Sequence, residues 1–158
     1  MMLRAYAEHA SAFTSSAQER TDLPLEWWGK RLDTAPDARE IVLGALENGS
    51  LRGVAGLAFE TREKTRHKAT LFGMAVAGSH QNQGTGRLLV LAALASARAR
   101  TGVRLVQLTV TQGNERAAAL YRRCGFVEYG LEPFAVSLET GAFASKVHMW
   151  CNLSCPPV

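Results

Sequence analysis

Residues 81–86 read Gln81-Asn82-Gln83-Gly84-Thr85-Gly86 and separate two apolar segments that differ in length and periodicity. The segment before them, residues 71–76, is a short apolar run of the length typical of a buried strand. The segment after them, residues 87–100, is rich in alanine and leucine at helical spacing. The order of these patterns predicts a strand, a glycine-containing loop and a helix.

The predicted start of this helix has the properties of an anion-binding site. The first backbone N–H groups of a helix have no intrahelical partner, and the helix dipole is positive at that end. Gly84 and Gly86 lack a Cβ atom, which allows the backbone to approach an anion closely, and Arg87 adds a positive charge. Residues 81–87 are therefore predicted to hold a phosphate group.

Two common nucleotide-binding motifs do not fit this loop. A dinucleotide fingerprint needs a third glycine and an acidic residue about 20 positions later. Leu89 occupies that glycine position, and no aspartate or glutamate lies between Arg87 and Asn114. The Gly-Lys-Ser/Thr sequence of a P-loop is also absent. Because glycine turns between strands and helices are common in α/β proteins, the loop alone is a weak signal.

A second pattern follows the helix and makes the signal more specific. Residues 103–110 are rich in β-branched side chains and are predicted to form a strand, followed by Asn114 and a second helix. Together the two patterns resemble the GNAT (Gcn5-related N-acetyltransferase) family over roughly residues 40–152. The resemblance is carried by Met74-Ala75-Val76, Gln81-x-x-Gly84-x-Gly86, residues 105–110, Asn114 and Leu120-Tyr121-x-x-Cys124-Gly125-Phe126.

The resemblance implies a fold and an activity. The implied fold is α/β (α+β): a mixed, mostly antiparallel central sheet flanked by helices, in which strands 4 and 5 of the family form a parallel pair that splays apart. The implied activity is transfer of an acetyl group from the co-substrate acetyl-CoA to a primary amine, by direct attack in a ternary complex. The acceptor, a small molecule or a peptide, is not specified by the fold. The alternative is a non-catalytic module of the same fold that binds or senses acyl-CoA.

The resemblance also assigns cofactor-binding residues. The amides of residues 81–87 would hold the pyrophosphate, and the backbone of residues 74–76 would pair with the pantetheine arm as an added strand does. Asn114 would hydrogen-bond the same arm, although a helix N-cap is an alternative role for it. The implied set is Met74, Ala75, Val76, Gln81, Asn82, Gln83, Gly84, Thr85, Gly86, Arg87, Asn114 and Tyr121.

Two residues are candidates for acid–base catalysis. By resemblance, Tyr121 is the general acid that protonates the coenzyme A thiolate, and a phenol with an ordinary pKa of about 10 is protonated at neutral pH. Its alternative role is that of a core aromatic beside Leu120. Glu60 is the candidate general base, because the family often uses a glutamate from this region; its alternative is a solvated carboxylate at a strand end. His67 is interpreted as a surface-loop residue.

Composition bounds the remaining possibilities. The chain has 158 residues, with 47% hydrophobic and 20% charged residues, as expected of one globular domain at residues 1–153; residues 154–158 are expected to be a disordered tail. No apolar run is long enough to span a bilayer, and residues 1–5 lack the apolar core of a secretion signal. We therefore expect a cytoplasmic location and no membrane partner. The net charge of +4 comes without a nucleic-acid-binding motif and is attributed to a polyanionic cofactor.

The cysteines are expected to be reduced, because three is an odd count in a chain without a secretion signal. A zinc site made of His148, Cys151 and Cys155 is disfavoured, since three ligands near a chain end do not close a tetrahedral site. No metal is expected. Cys124 lies at the predicted end of a helix, where the dipole disfavours a thiolate, and is interpreted as a packing residue.

The flanking segments complete the predicted order of elements. Helices are expected at residues 4–9 and 24–32, with a loop over residues 11–23 between them. By resemblance this region covers the acceptor site, where Phe13, Trp27 and Trp28 pack the helices or line the pocket. Strands are expected at residues 39–46, 51–59, 127–138 and 142–151, the first two joined by the hairpin signal Asn48-Gly49.

The N-terminal region departs from the family in one respect. GNAT domains usually begin with a strand, whereas this chain is predicted to begin within the first helix. The strand at residues 39–46 would then have an exposed edge, which is a liability for pairing with another chain. A homodimer that covers this edge is a hypothesis for the oligomeric state.

Overall fold

A six-stranded sheet forms the centre of the molecule in the computed structural model, which describes residues 1–33, 35, 37–138 and 140–154. Its strands lie in the order β1-β2-β3-β4-β6-β5. Neighbouring strands are antiparallel, except that β3 and β4 run parallel. The predicted α/β fold class is confirmed. The strands are β1 (Glu40–Glu47), β2 (Ser50–Phe59), β3 (Lys68–Val76), β4 (Leu105–Thr111), β5 (Val127–Ser137) and β6 (Phe143–Asn152).

Helices cover both faces of this sheet. They are α1 (Met2–Glu8), α2 (Ala17–Thr21), α3 (Leu25–Lys30), α4 (Thr85–Ala99) and α5 (Glu115–Arg123). The hydrophobic core lies between the sheet and α4, whose buried residues recur at helical spacing: Leu89, Val90, Ala93, Leu94 and Ala97. These side chains pack with alternate strand residues, among them Leu57, Leu71, Val106, Leu108 and Met149.

The N-terminal segment packs on the opposite face of the sheet. The hydroxyl of Thr111 on β4 donates a 2.8 Å hydrogen bond to the carbonyl of Ser11, and the ammonium group of Lys146 on β6 donates to the hydroxyl of Thr14. The prediction of a loop over residues 11–23 is wrong in part, because a 3₁₀ turn forms at Ala10–Ala12 and Ala17–Thr21 form α2. A five-residue helix is too short to show a periodic apolar face, which is the pattern that predicts longer helices.

The hairpin between β1 and β2 forms as predicted. Asn48 and Gly49 have φ angles of 49° and 76°, and Glu47 pairs with Ser50 across the turn. A two-residue turn with both central residues at positive φ matches the twist of the flanking strands. Asn48-Gly49 therefore fixes the register of the hairpin.

The parallel pair opens into a wedge, as the resemblance implies. β3 and β4 pair only from Lys68 with Leu105 to Thr70 with Gln107, although β3 continues to Val76. The family's strands 4 and 5 thus correspond to β3 and β4 here. Beyond Thr70 the facing edges of the two strands are separated, which leaves space for an extended ligand between them.

A bulge on β3 lies inside this wedge. Three residues of β2, from Val54 to Gly56, face the four positions from Ala75 back to Phe72, so that β3 carries one extra residue. Gly73 has a φ of +57° at this point, a conformation that favours glycine. Gly56 lies under the Phe72 ring, whose nearest carbon would be 2.4 Å from an added Cβ atom. A side chain at position 56 would therefore collide with this ring unless the ring moved.

The two outer strands of the sheet differ in their exposed residues. β1 pairs with β2 alone, so the expected open edge is present at the strand predicted over residues 39–46. β5 is the other edge, and it exposes large apolar side chains such as Tyr129, Leu131 and Phe134. The homodimer stays a prediction.

The C-terminal hairpin closes where the sequence indicated. The amide of Leu138 donates a 2.8 Å hydrogen bond to the carbonyl of Ala142. Glu139 and most of the expected disordered tail, residues 155–158, lie outside the described residues. In the described part of the chain, no helix has the length and apolar character needed to cross a membrane. The cytoplasmic location stays a prediction.

Candidate active site

The loop between β3 and α4 has the geometry of an anion cradle. Gly84 is the N-cap of α4, with a φ of +84°, and no side chain caps the helix. An added Cβ atom at Gly84 would meet nothing within 4 Å, so the first N–H groups of α4 lie beside open space. These groups, with Arg87 exposed beside them, fit a pyrophosphate.

Gly86 lies in close contact with side chains of β3 and α5, and its predicted role in anion binding stays a prediction. An added Cβ atom there would lie 3.1 Å from the Cε of Met74 and 3.2 Å from a Cδ of Leu120. Both distances are tighter than ordinary van der Waals contact, so an added Cβ atom would require the ends of the Met74 and Leu120 side chains to shift by a few tenths of an ångström. The glycine therefore brings the start of α4 close to the wedge.

Gln81 connects the loop to both sides of the wedge. Its amide nitrogen donates a 3.2 Å hydrogen bond to the carbonyl of Val76, and its amide oxygen accepts a 2.6 Å hydrogen bond from Arg116 on α5. The Val76 carbonyl is one of the backbone groups expected to pair with a pantetheine arm. A carbonyl oxygen has two lone pairs, so the Val76 carbonyl can accept from a ligand while it accepts from Gln81.

Asn114 is the N-cap of α5. Its side-chain oxygen accepts a 3.2 Å hydrogen bond from the amide of Ala117, which confirms the capping role that the sequence left open. The side-chain amide nitrogen is a separate donor and is not used by the cap. A contact between Asn114 and the cofactor stays a prediction.

Tyr121 lies against the wedge, on the face covered by α5. Its hydroxyl donates to the sulfur of Met74 at 3.6 Å, and its ring packs edge-on against Phe126 at 5.9 Å between centroids. Burial, with a smaller contribution from Cys124, raises the pKa of Tyr121 to about 12. The phenol is therefore a packed aromatic, as the alternative reading held, and it also remains protonated beside the strand assigned to the cofactor.

Glu60 is not brought to the same place. It is exposed at the end of β2, where its carboxylate accepts a 3.4 Å hydrogen bond from Thr65 and its amide donates to the carbonyl of Lys68. Met74 lies six residues further along β3 than Lys68, roughly 20 Å away at about 3.3 Å per residue. Glu60 as the general base stays a prediction that this placement does not support.

A cavity of about 450 Å³ opens on the opposite face of the sheet, between the strands and the N-terminal segment. Its floor is formed where β3 and β4 separate, by Thr70, Phe72 and Gly73 of β3 and Gln107 and Thr109 of β4. The cavity and the wedge therefore share the same stretch of β3. Phe13 lines the cavity, as the sequence allowed, whereas Trp27 and Trp28 pack against each other with ring centroids 5.0 Å apart.

The walls of the cavity carry positive charge. Arg20 of α2, Arg31 after α3 and Lys146 of β6 all line it, together with His148. Among the described residues that line the cavity, none is an aspartate or glutamate. The sequence did not assign a role to Arg20, Arg31 or Lys146.

The arginines are held by aromatic rings. The guanidinium of Arg20 lies 4.8 Å from the Trp27 ring centroid, and one of its terminal nitrogens donates a 2.6 Å hydrogen bond to the hydroxyl of Ser15. The guanidinium of Arg31 lies 4.1 Å from the Trp27 ring and 5.3 Å from the Phe72 ring. Cation–π contacts of this kind fix the orientation of each planar cation.

β6 contributes the remaining polar groups of the cavity. Lys146 is buried, and burial lowers the pKa of its ammonium group, with Glu132 acting in the opposite direction. His148 contacts the carboxylate of Glu132 at 3.0 Å, and its ring packs against Tyr129. One sequence pattern could have indicated this polar face. Lys146 and His148 alternate with apolar residues on β6, a strand that lies inside the sheet.

The two described residues of the disfavoured zinc site lie apart. His148 lines the cavity, whereas Cys151, an odd number of positions along the same strand, is part of the core cluster. Cys155 lies outside the described residues. Among the residues that the structure describes, no group of three or more histidine, cysteine, aspartate or glutamate side chains is placed to hold a metal ion.

Cys124 is buried at the end of α5, in keeping with a packing role. Burial raises the pKa of its thiol, with Arg87 acting in the opposite direction. A raised pKa disfavours the thiolate, which is the nucleophilic form of cysteine.

Comparisons with known proteins agree with this geometry. Residues 2–126 match the model of the acetyltransferase (GNAT) family, whose members use acetyl-CoA. The chain is 32% identical over 126 residues to [ribosomal protein bS18]-alanine N-acetyltransferase of Escherichia coli K12; the match covers 73% of this chain and 81% of the relative.

Solved structures share the fold. A GNAT acetyltransferase from Streptococcus pneumoniae superposes with a TM-score of 0.78 at 27% identity, covering 96% of this chain and 92% of the other. The Salmonella typhimurium protein yncA, a putative acetyltransferase solved with acetyl-CoA, has a TM-score of 0.77 at 20% identity, covering 99% and 87% of the two chains. The match to the family model over residues 2–126 and the curated relative show that this chain belongs to the GNAT family of acetyltransferases.

Proposed function

We propose that this protein transfers an acetyl group from acetyl-CoA to a primary amine bound in the cavity, by direct attack in a ternary complex. The observation that carries the proposal is the position of the wedge between β3 and β4. The helix-start loop follows the end of β3, the Tyr121 hydroxyl contacts Met74 within it, and the cavity reaches Gly73 next to Met74. An acyl donor held by the loop and the wedge would meet an amine in the cavity.

The donor site is built from backbone groups. The free N–H groups at the start of α4 and the charge of Arg87 would hold the pyrophosphate, and the β3 edge from Met74 to Val76 would pair with the pantetheine arm. We propose the same donor-binding residues as the sequence analysis: residues 74–76 and 81–87, Asn114 and Tyr121. Acetyl-CoA supplies the activated acetyl group as a thioester.

The reaction needs two proton movements. A nitrogen–carbon bond forms at the acetyl carbon as the carbon–sulfur bond breaks, so the leaving thiolate must gain a proton and the amine must lose one. Tyr121 is suited to give the first proton, because its phenol is protonated and lies at the wedge. For the second, Glu60 was the sequence-based candidate, but His148 lines the cavity and is held by Glu132, so we propose His148 as the acceptor.

Two experiments test the proposed function. Acetyl-CoA at about 100 times its Kd is expected to stabilise the protein by roughly 2.7 kcal/mol, measured as a rise in Tm. Release of coenzyme A thiol is then measured over a panel of primary amines, with desulfo-coenzyme A as a competitor. Acceptor-dependent release supports acetyl transfer. Binding without release from any amine would contradict it and favour the non-catalytic acyl-CoA-binding module.

The activity of the Escherichia coli relative supplies one acceptor for this panel. That protein is a ribosomal-protein-alanine N-acetyltransferase, so a peptide with an N-terminal alanine is included. A spermidine N-acetyltransferase chimera from Vibrio cholerae and a second source shares the fold with a TM-score of 0.70, so spermidine is included as a polycationic amine. Homodimerisation is tested on the same sample by light scattering.

A further inference from the structure

We infer that the cavity takes a small amine that also carries a carboxylate, such as a free α-amino acid. The inference rests on the proposed acetyl transfer and names the acceptor class for that site. It is carried by the composition of the cavity, which is lined by three basic side chains, Arg20, Arg31 and Lys146, and, among its described lining residues, by no carboxylate. A bound carboxylate would complete this charge distribution, whereas a polycationic acceptor would oppose it.

Arg20 is poised to receive a carboxylate. Its guanidinium lies between the rings of Tyr6 and Trp27, at 5.9 and 4.8 Å from their centroids, and Ser15 accepts from only one of its terminal nitrogens. Its Nε atom is buried without a hydrogen-bond partner in the described structure. A buried unpaired donor is costly, and a planar guanidinium pairs with a carboxylate through two parallel hydrogen bonds.

Lys146 is a second cation without a close carboxylate. Its side chain is buried on an interior strand and donates to the Thr14 hydroxyl, and no described carboxylate lies within ion-pair distance of it. Glu132 is close enough to act on Lys146 but pairs with His148 at 3.0 Å. Burying a cation without a paired anion is unfavourable, so such a group is more often found where a ligand supplies the anion.

Arg31 makes a smaller contribution to this charge. Its Nε atom lies 3.5 Å from the carboxylate of Glu40, which compensates part of its charge from outside the cavity. Arg20 and Lys146 are thus the uncompensated pair. They come from α2 and β6, so the carboxylate would bridge the N-terminal segment and the sheet.

The size of the cavity favours a small molecule. A volume of about 450 Å³ lies within the range of small-ligand sites and accommodates an amino acid of any side chain. His148 is the titratable group beside Lys146 on the same face of β6, so a carboxylate on Arg20 and Lys146 would leave the adjacent amine near its proposed proton acceptor.

The test uses pairs of acceptors that differ only in the anion. Thiol release is measured for each L-amino acid and for its carboxamide, with acetyl-CoA in excess. The carboxamide has the lower amine pKa and hence more neutral amine at neutral pH, so intrinsic reactivity favours it. We expect at least one acid to exceed its amide in kcat/KM by tenfold or more, and spermidine and the N-terminal alanine peptide to be poorer acceptors than that acid.

Other acceptor preferences would overturn the inference. Amides that match or exceed their acids, or a preference for spermidine or the peptide, would show that the cavity does not select a carboxylate. An aminoalkylphosphonate preferred over the matching acid would contradict the carboxylate assignment. Absence of release from every amine, with acetyl-CoA still bound, would instead overturn the proposed acetyl transfer and the inference with it.

A pair of variants tests whether Lys146 recognises the carboxylate of the acceptor. Lys146→Met is expected to lower the acid-to-amide ratio of kcat/KM by about tenfold, because it removes the buried cation and keeps the length of the side chain. Lys30→Met removes the same charge from an exposed position on α3 and is expected to leave the ratio unchanged. Equal ratios in both variants would contradict the assigned role of Lys146. A Tm for Lys146→Met at or above that of the parent separates lost recognition from lost folding.

Discussion

The two faces of the sheet are built from the same strands but have different chemistry. On the face beneath α4, Leu57, Val106 and Met149 are fully buried with Leu94. On the face beneath the N-terminal segment, Gln107, Lys146 and His148 line a polar cavity. Since alternate residues of a strand point to opposite faces, one short segment of β4 or β6 contributes to both.

We therefore expect the apolar face of the sheet to determine the stability of the fold and the polar face to bind the acceptor. The apolar face is closely packed, and none of its described core residues is charged, so its substitutions are expected to act on the free energy of unfolding. The polar face carries one buried cation, Lys146, beside the partly buried Arg20 and Arg31; a buried cation is costly and is more easily explained by binding than by stability. The wedge between β3 and β4 is where the two faces meet, and Tyr121 reaches it from the apolar side.

The largest effect is expected on kcat, from the substitution Tyr121→Phe at the wedge between β3 and β4. Loss of a general acid lowers kcat by about 10²- to 10⁴-fold, equivalent to roughly 3–5 kcal/mol in the activation barrier. Because the phenol has a pKa of about 12, it is protonated throughout an assay between pH 7 and about pH 10. The loss is therefore expected to be the same factor at both ends of this range.

The control for Tyr121→Phe is its own fold stability. The substitution keeps the ring that packs against Phe126 and removes only a weak hydrogen bond to the Met74 sulfur, so the Tm should change little. Full turnover with an unchanged pH profile would remove Tyr121 from the role of acid and leave it as a core aromatic.

The next effect is expected on the apolar face, from Leu94→Ala. Leu94 is about 1% exposed in the middle of α4, and truncating a buried leucine costs about 2–5 kcal/mol through lost transfer energy and a residual cavity. Urea unfolding measures this loss. Leu25→Ala on α3 is the matched control, because Leu25 is 85% exposed and should change stability by less than about 0.5 kcal/mol. Similar losses in the two variants would contradict the division between the faces.

On the polar face, His148→Gln and Glu60→Gln distinguish the two candidate bases. His148→Gln is expected to lower kcat/KM by about 10²-fold, roughly 2.7 kcal/mol, because it removes the proton acceptor that lines the cavity. Glu60→Gln, exposed at the far end of β2, should change it by less than twofold. The reverse order, measured with the same amine, would restore Glu60 as the base through a water chain and remove His148.

The β1–β2 hairpin, the loop before α4 and α4 itself were predictable because their signals are local. Gly84 is needed for a positive φ, Asn48-Gly49 for a turn, and the apolar spacing of residues 87–100 for one helix face; each pattern lies within a few residues. Even Tyr121 and Met74, which touch in the fold, belong to two such local patterns joined by a family resemblance.

The acceptor side was not predictable for the opposite reason. Arg20 and Lys146 are far apart in sequence and line one cavity only because the N-terminal segment crosses β4 and β6. Glu60 is the converse case, since it is close in sequence to β3 but lies beside Lys68 at the start of that strand, and its role as the base stays a prediction. In both cases the position of the residue depends on the order and direction of the strands, which a local sequence pattern does not reveal.

The smallest effect is expected from Ser16→Ala, which tests how α2 holds Arg20 over the cavity. The Ser16 hydroxyl accepts from the amide of Glu19, and the Glu19 carboxylate accepts from the amide of Ser16, so the substitution breaks a capping box and costs about 1 kcal/mol. For a domain of this size that is a fall of about 2–4 °C in Tm. Ser96→Ala, inside α4, is the control and should raise stability slightly, because alanine is the better helix former.

Kinetic measurements on Ser16→Ala then show whether the substitution weakens acceptor binding alone or acetyl-CoA binding as well. Because α2 carries Arg20 but contributes nothing to the loop before α4, Ser16→Ala should raise the acceptor KM by a few-fold and leave the acetyl-CoA Kd unchanged. A parallel rise in the acetyl-CoA Kd would show that the N-terminal segment and the donor loop respond together, and that the two faces of the sheet are energetically coupled rather than separate.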